Sequence, residues 1–325
     1  TPRADAVRGV LVFNTSFRRG VVDLTAYHEP VLLDEVLRAA EGATRVVDCT
    51  VGDGGHLVAL ALRPETKILG IDRDPAAIAI AGTRLGPGAT LLTTVYSDPE
   101  ALDAIGAFGP DFILLDLGVS SRQLDEDARG FTFRPGAVLD MRMGTEGVTA
   151  ADLLNEWPLS ELERVLAEYA DERRARRLAR EIDRRRTRQP FATSDDLVNA
   201  IRAVLGPRSG PGDFARIFQG IRIAVNDELA GLARALPQLR DALVGGCLAV
   251  ISYHSGEDRV VKHAFREWAR ACVCPPHQPL CTCRGKPLGR LPSRKPIVPA
   301  GAEVEANPRA RSAKLRIFQV SEHEA

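Results

Sequence analysis

The chain has 325 residues, is 45% hydrophobic and carries no formal net charge at pH 7, which describes a packed protein with room for about two domains, or one domain with a large insertion. Only 5% of its residues are aromatic, which argues against a surface that stacks many bases on aromatic platforms, and no apolar run approaches ~20 residues, so no membrane span is expected. Six cysteines are too few for a disulfide scaffold and suit a reducing cytoplasm, while the apolar run from Val10 to Phe13 is broken by Asn14, so no signal peptide is expected.

Residues 1–26 show no period and read as an N-terminal extension with a tendency to disorder. From His28 the pattern turns helical, with Val31, Leu32, Val36 and Leu37 on one face and Gly42 as the stop. A strand over 45–49 runs into Asp48-Cys49-Thr50-Val51-Gly52-Asp53-Gly54-Gly55-His56, and an apolar helix follows. Further strands are expected over 67–72, 90–96 and 111–117, separated by helices that Asp74 and Asp98 cap. Continuous apolar strands alternating with helices predict an α/β fold, a parallel sheet covered on both faces. The alternation stops after the fourth strand. Helices over 149–155, 159–169, 171–188 and 193–205 mark a helical insertion, placed at 119–212. The flanking segments 27–118 and 213–322 then form one discontinuous sheet domain, with a helix over 217–236, a strand over 247–253, a helix over 256–270 and a last, antiparallel strand over 314–320.

A strand, a glycine loop and a helix bring backbone close to a ligand at a helix N-terminus. A dinucleotide fingerprint wants a third glycine where Leu57 stands, and no Gly-Lys-Ser/Thr of a P-loop is present. S-adenosylmethionine remains: it needs backbone beside its methionine part and an acid for its ribose hydroxyls, and Asp72 ends the second strand. Tyr96, at the end of the third strand, is placed either to stack an adenine or to fill the core. His56 is placed either to touch the ligand or to open its helix. A methyl transfer to an amine needs in-line placement and acceptors that hold the amine. Asp116, at the end of the fourth strand, suits that task, with Asn226, Asp227, His254 and Asp258 as further candidates; a general base is not obligatory.

Several longer motifs carry a resemblance. His28-Glu29-Pro30-Val31-Leu32-Leu33, Gly-Asp-Gly-Gly-His at 52–56, Gly70-Ile71-Asp72-Arg73-Asp74-Pro75 and Leu115-Asp116-Leu117-Gly118-Val119-Ser120-Ser121 come first. Arg129-Gly130-Phe131, Leu139-Asp140-Met141-Arg142-Met143, Ala151-Asp152-Leu153-Leu154-Asn155, Val225-Asn226-Asp227-Glu228-Leu229, His254-Ser255 with Glu257-Asp258-Arg259, and Asn307-Pro308-Arg309-Ala310-Arg311-Ser312 follow in order. The set resembles the bacterial small-subunit rRNA (cytosine-N4) methyltransferase H family, RsmH, also called MraW. The resemblance implies a class I S-adenosylmethionine-dependent methyltransferase, a Rossmann-like doubly wound sheet with an inserted helical domain. It implies methylation of the exocyclic amine of a cytidine in the decoding region of 16S rRNA. It places cofactor contacts on Gly54, Gly55, His56, Asp72, Tyr96, Asp116 and Gln123. Departures are Asp53 where the family has glycine, Tyr96 for phenylalanine, Gly256 for leucine and Gly220 for alanine. Asp53 is the awkward one, because a carboxylate there repels the ligand carboxylate unless it points elsewhere. A DNA amino-methyltransferase would show an Asp/Ser-Pro-Pro-Tyr/Phe motif, which Asp116-Leu117-Gly118-Val119 lacks. A non-catalytic RNA-binding assembly factor need not keep Gly54, Gly55, Asp72 and Asp116.

Residues 172–188 hold nine arginines against Glu172, Glu181 and Asp183. Further basic runs are Arg284, Lys286, Arg290, Arg294 and Lys295, then Arg309, Arg311, Lys314 and Arg316. Such stripes supply phosphate affinity, so Arg173, Arg177, Arg184, Arg309 and Arg311 are candidate contacts to 16S rRNA in the small ribosomal subunit. The competing expectation for the arginine helix is a solvated face with internal salt bridges. Cys272, Cys274, Cys281 and Cys283 could ligate zinc through four thiolates, but C-x-C spacing is less typical than C-x-x-C, and no metal is assigned from the sequence. The oligomeric state stays open, a homodimer included.

Overall fold

The computed structural model describes residues 30–321 except 64, 244, 276, 277 and 279. The extension at 1–26 and the His28-Glu29 start of the first motif lie outside the described residues. Seven strands form one sheet: β1 (Arg45–Asp48), β2 (Lys67–Asp72), β3 (Thr90–Thr93), β4 (Phe112–Asp116), β5 (Cys247–Ser252), β6 (Gly289–Arg290) and β7 (Lys314–Val320). Their order is β3-β2-β1-β4-β5-β7-β6. The first five strands pair in parallel, β7 runs antiparallel to β5, and β6 pairs antiparallel on its far side. The expected antiparallel strand over 314–320 is therefore present but one place in from the edge. The two-residue β6 was hidden in a segment rich in proline and cysteine.

Side chains on a strand alternate between faces, and here the alternation divides two cores. Val47, Ile113, Leu115, Leu248 and Val250 pack with Ile105, Leu232, Leu236, Phe265 and Trp268, which belong to helices Pro99–Phe108, Glu228–Ala242 and Ser255–Trp268. Their strand neighbours Val46, Phe112, Leu114, Ala249 and Ile251 pack with Val36, Leu57, Leu60 and Ala81, from helices Leu33–Ala39, Gly55–Ala61 and Pro75–Leu85. Both faces being covered, the strands can be apolar throughout. Burying each such side chain is worth roughly 1.5–3 kcal/mol, so the register of the central strands is set from both sides.

A third core lies in the inserted unit, built on Leu139 from a loop and on Leu153, Leu166, Leu178, Ile182, Leu197 and Ile201 from its helices. It also takes Phe214, Ile217, Phe218 and Ile221 from helix Pro211–Val225. That corrects the boundary at 212: the inserted unit continues through this helix because its apolar face belongs to the helical core. The single helix expected over 217–236 is two, since Asp227 takes φ +51° and separates Pro211–Val225 from Glu228–Ala242. Gly220 is explained here too: a Cβ at this position would lie 2.6 Å from the Ala170 Cβ, so an alanine would not fit the close helix contact.

Candidate active site

The carboxyl ends of β1, β2 and β4 open into a cleft of about 1050 Å³ whose opposite wall comes from the inserted unit. Ligands in open α/β sheets sit at this edge, where the strand order reverses between β1 and β4. The glycine loop forms one lip. Gly52 and Gly54 have φ of +52° and +83°, a conformation costly for residues with a Cβ, and the turn brings backbone to the cleft edge. The Gly52 N–H donates to Asp72 Oδ2 (2.7 Å) and the Asp74 N–H to Asp72 Oδ1 (2.8 Å). Asp72 is thus aimed by two backbone donors. Burial outweighs these bonds and raises its carboxyl above the usual range. The side chain of Asp74 caps helix Pro75–Leu85 by accepting from the Ala76 N–H (3.0 Å), as its position before Pro75 suggests.

Asp53 lines the cleft but faces a guanidinium. Its Oδ1 lies 3.4 Å from Arg122 Nε, and Arg122 Nη2 also holds Asp74 Oδ2 at 3.0 Å. Arg129 Nη2 reaches the same Asp74 oxygen (3.2 Å) and the Met143 carbonyl (2.7 Å). The carboxylate that threatened to repel a ligand is therefore partnered by a guanidinium from the start of the insertion.

His56 is buried. Its Nε2 lies 2.9 Å from the Val31 carbonyl, and since a carbonyl only accepts, Nε2 carries the proton and Nδ1 the lone pair. Burial lowers its pKa, so the ring is neutral at pH 7. Its Nδ1 faces Asp116 Oδ2 at 3.6 Å. The Tyr253 hydroxyl donates to Asp116 Oδ1 at 2.9 Å, and the Asp116 N–H donates to Thr50 Oγ1 at 2.6 Å. Burial pushes the Asp116 carboxyl up to about 7, partly opposed by the Tyr253 bond and assisted by the charge of Glu257. Asp48, one strand over, is also pushed to about 7 by burial, against the pull of His56 and the Thr50 N–H. Two carboxyls able to change protonation near neutral pH thus share a small volume with a neutral imidazole.

The other expected site residues fall into different places. Gly55, His56, Asp72, Tyr96, Asp116, Gln123, Asn226, His254 and Arg309 line the cleft; Gly54 shapes the loop behind it. Tyr96 follows β3 in a turn rather than ending the strand, and burial raises its hydroxyl pKa. Gln123 is occupied: its Oε1 accepts from the Ser120 N–H (3.0 Å) and its Nε2 donates to the Met143 carbonyl (3.1 Å). Asn226 accepts from the Met143 N–H (2.9 Å) and donates to the carbonyls of Met141 (2.8 Å) and Arg222 (2.9 Å). Both ends of the amide thus hold the 141–143 loop on the helix end. His254 caps helix Ser255–Trp268 through Nδ1, which accepts from the Gly256 and Glu257 N–H groups (3.2 and 3.4 Å). Its Nε2 is turned to Glu257 Oε1 at 3.2 Å. Asp258 is tied to Arg316 at 2.7 Å and ends up clamping β7 instead of facing the cleft.

Glu228, His254 and Glu257 bring ligand atoms within 4.8 Å of one another, but these donors are engaged. Arg222 holds both Glu228 oxygens at 2.9 Å, and Glu257 Oε2 accepts from the Tyr253 N–H at 2.8 Å. His254 and then Arg222 draw the Glu257 pKa down despite its burial. Sequence inspection passed over Asp48, Thr50, Arg122 and Tyr253. A signal was present for the first, because β1, β2 and β4 all end in aspartate. Arg122 and Tyr253 gave none, as each acts across the fold.

Of the candidate RNA contacts, Arg309 lines the cleft and pairs with Asp125 at 2.6 Å. Arg173 and Arg177 are exposed and pair with no acid among the described residues. Arg184 instead bonds Glu181 at 2.6 and 2.9 Å, and Arg311 is exposed away from the cleft. The arginine helix, Ala175–Arg186, therefore has a self-paired C-terminal turn, where Arg184, Arg185 and Arg186 meet Glu181 and Asp183, and an open N-terminal end.

A sheet ordered β3-β2-β1-β4-β5-β7-β6 with an antiparallel β7, an acid aimed from the end of β2 and a helical unit inserted after β4 define a class I S-adenosylmethionine-dependent methyltransferase fold. The chain belongs to the MraW methylase family, whose profile matches residues 25–321. It is 57% identical over 300 residues to Ribosomal RNA small subunit methyltransferase H of Gemmatimonas aurantiaca, covering 90% of this chain and 95% of that one. The protein of the same name from Heliobacterium mobile is 47% identical over 307 residues, covering 90% and 98%. Among solved structures, an rRNA methylase from Streptococcus thermophilus aligns over 89% of this chain and 93% of that one, at 11% identity and a TM-score of 0.39.

Proposed function

We propose that the chain methylates the exocyclic N4 amine of a cytidine in the decoding region of 16S rRNA, using S-adenosylmethionine, with the small ribosomal subunit as its cytoplasmic partner. Membership of a methylase family and the names of its relatives support the reaction class and the RNA. No helix among the described residues is long and apolar enough to cross a membrane. The observation that carries the site assignment is the pairing of two differently equipped ends in one cleft: Asp72 held by two backbone donors, and Asp116 held near neutrality between Tyr253 and His56.

The residues fit the cofactor. Asp72 would accept the ribose hydroxyls, Tyr96 would flank the adenine, and the Gly52–Gly55 backbone would line the methionine part, with Asp53 turned to Arg122. Once bound, the cofactor supplies a methyl group already activated on a sulfonium. What the chain adds is placement and a home for a proton. Asp116 Oδ2 accepts from the cytidine amine and orients it. As the amine gains positive character, the carboxylate stabilises it and takes the proton. His56 Nδ1, with its lone pair, keeps that oxygen from being isolated once protonated. The wall formed by Gln219, Arg222 and Asn226 limits water access, and the target base must be unpaired or extruded to enter.

Tritiated-methyl transfer to small subunits, naked rRNA and DNA, followed by nucleoside analysis, tests this. N4-methylcytidine from subunits is expected. Label on DNA alone, or none with subunits, would overturn it.

A further inference from the structure

We propose that Cys272, Cys274, Cys281 and Cys283 form a structural zinc site, a four-thiolate staple in the excursion between helix Ser255–Trp268 and β6. The four Sγ atoms all lie within 4.8 Å of one another. Cys281 Sγ is 3.8 Å from Cys274 Sγ, 3.8 Å from Cys272 Sγ and 3.4 Å from Cys283 Sγ. A tetrahedron with Zn–S of about 2.3 Å has sulfur–sulfur edges of about 3.8 Å. The cluster already has that size before any ligand is considered. A disulfide would need sulfurs at about 2.05 Å, and all four cysteines are free.

The surroundings show why a staple is needed. No described residue from 271 to 286 is buried, and Leu280 is 77% exposed. The segment therefore has no apolar core to define its shape. Its base is fixed. The Arg284 guanidinium donates to Glu267 Oε1 (2.7 Å) and to the carbonyls of Glu267 (2.5 Å) and Arg270 (3.1 Å), and the Leu288 N–H donates to the Trp268 carbonyl (2.9 Å). Between those anchors the four cysteines converge, beside Gln278, whose Nε2 donates to the Leu280 carbonyl (2.9 Å) and Thr282 Oγ1 (2.8 Å). The Val273 N–H donates to Cys283 Sγ at 3.3 Å, the kind of outer contact that supports a metal-bound thiolate. On binding, four thiols release four protons to solvent, and Zn²⁺ with four thiolates has a formal charge of −2, beside the cationic Arg284 and Lys286. The softness of sulfur favours zinc over oxygen-seeking cations. None of the four cysteines lines the methylation cleft, so the site is independent of the reaction proposed above.

The test uses the full chain, expressed with zinc and purified reduced without chelator. One zinc per chain is expected by elemental analysis, released as an organomercurial titrates four thiols. Cobalt(II) added to the stripped chain should give the intense visible bands and thiolate charge-transfer of a tetrahedral four-sulfur site. Proteolysis near Arg284 and Lys286 should accelerate after zinc is removed. Cys281→Ser with Cys283→Ser should lose the metal and the cobalt spectrum while S-adenosylmethionine binding is kept. Reduced wild-type chain that holds almost no zinc and gives only a weak octahedral cobalt spectrum would overturn the proposal, whether or not the variant folds. So would an intact mass showing that the four thiols are paired as disulfides in the chain as isolated from cells.

Discussion

Carboxylates at the strand ends and carboxylates on the arginine helix meet opposite electrostatic fates. Asp48, Asp72 and Asp116 are all raised by burial, the first and last to about 7. Glu181 is held down at about 2, first by its hydrogen bond from Arg184 and then by Arg185. The residue types are nearly the same, so the difference lies first in burial and then in the partners. The helix supplies guanidinium groups within 2.6–2.7 Å, and the strand ends supply backbone N–H groups, a phenol and a neutral imidazole. Crowding carboxylates away from cations opposes folding, and a fold that keeps them there has a use for groups that titrate near neutrality.

The sharpest break in that comparison is Asp116→Asn. The amide keeps the size and the Tyr253 contact but cannot take a proton, so methyl transfer should fall by about 10²–10⁴-fold with cofactor binding nearly unchanged. For the wild type, the rate should rise with pH and level off above about 7, as Asp116 ionises. Stability runs the other way. An aspartate unfolds to a pKa of ~3.9, so between there and about 7 the folded chain holds a proton the unfolded chain has lost. Its contribution is full below ~4 and disappears as pH rises through about 7. Denaturant unfolding of variant and wild type should therefore diverge in the variant's favour as pH rises from ~4 to about 7. A pH-independent difference, together with retained activity, would remove Asp116 from the reaction.

Asp72→Ala comes next. It removes an acceptor for two hydroxyls and leaves the Gly52 and Asp74 N–H groups without their partner. Losing hydrogen bonds to a charged group costs about 1.5–3 kcal/mol, so S-adenosylmethionine affinity should fall roughly 10–100-fold by calorimetry. Unchanged affinity would take Asp72 out of the ribose role.

How much of this could be seen in the sequence depended on the range of the interaction. β2 and β7 were legible to the residue, because a buried strand bounded by polar residues announces itself locally. Asp72 and Asp116 were legible because they end such strands. The break at Asn226-Asp227 was not, since the apolar period continues through it and only Asp227's backbone conformation interrupts the helix. The boundary at 212 failed for a similar reason: which core receives Phe214 and Ile217 is a tertiary matter. Asp53 looked disruptive because Arg122, its partner, lies 69 positions along the chain and across the fold.

The smallest effects concern the arginine helix, and they separate its two ends. Arg173 and Arg177 are exposed without acidic partners among the described residues, so each is free to neutralise a phosphate. Each phosphate contact contributes about one unit to the salt dependence of binding. The double variant Arg173→Ala/Arg177→Ala should therefore lower the slope of log affinity against log salt by about two, measured on small subunits by titration at several potassium chloride concentrations. Arg184→Ala should change it by much less than one, because Glu181 already holds that guanidinium at two points and a phosphate would have to displace it. Equal slopes for all three proteins would mean that the helix is a solvated face that holds no phosphate at either end. The RNA would then be held by Arg309 at the cleft mouth and by charges elsewhere.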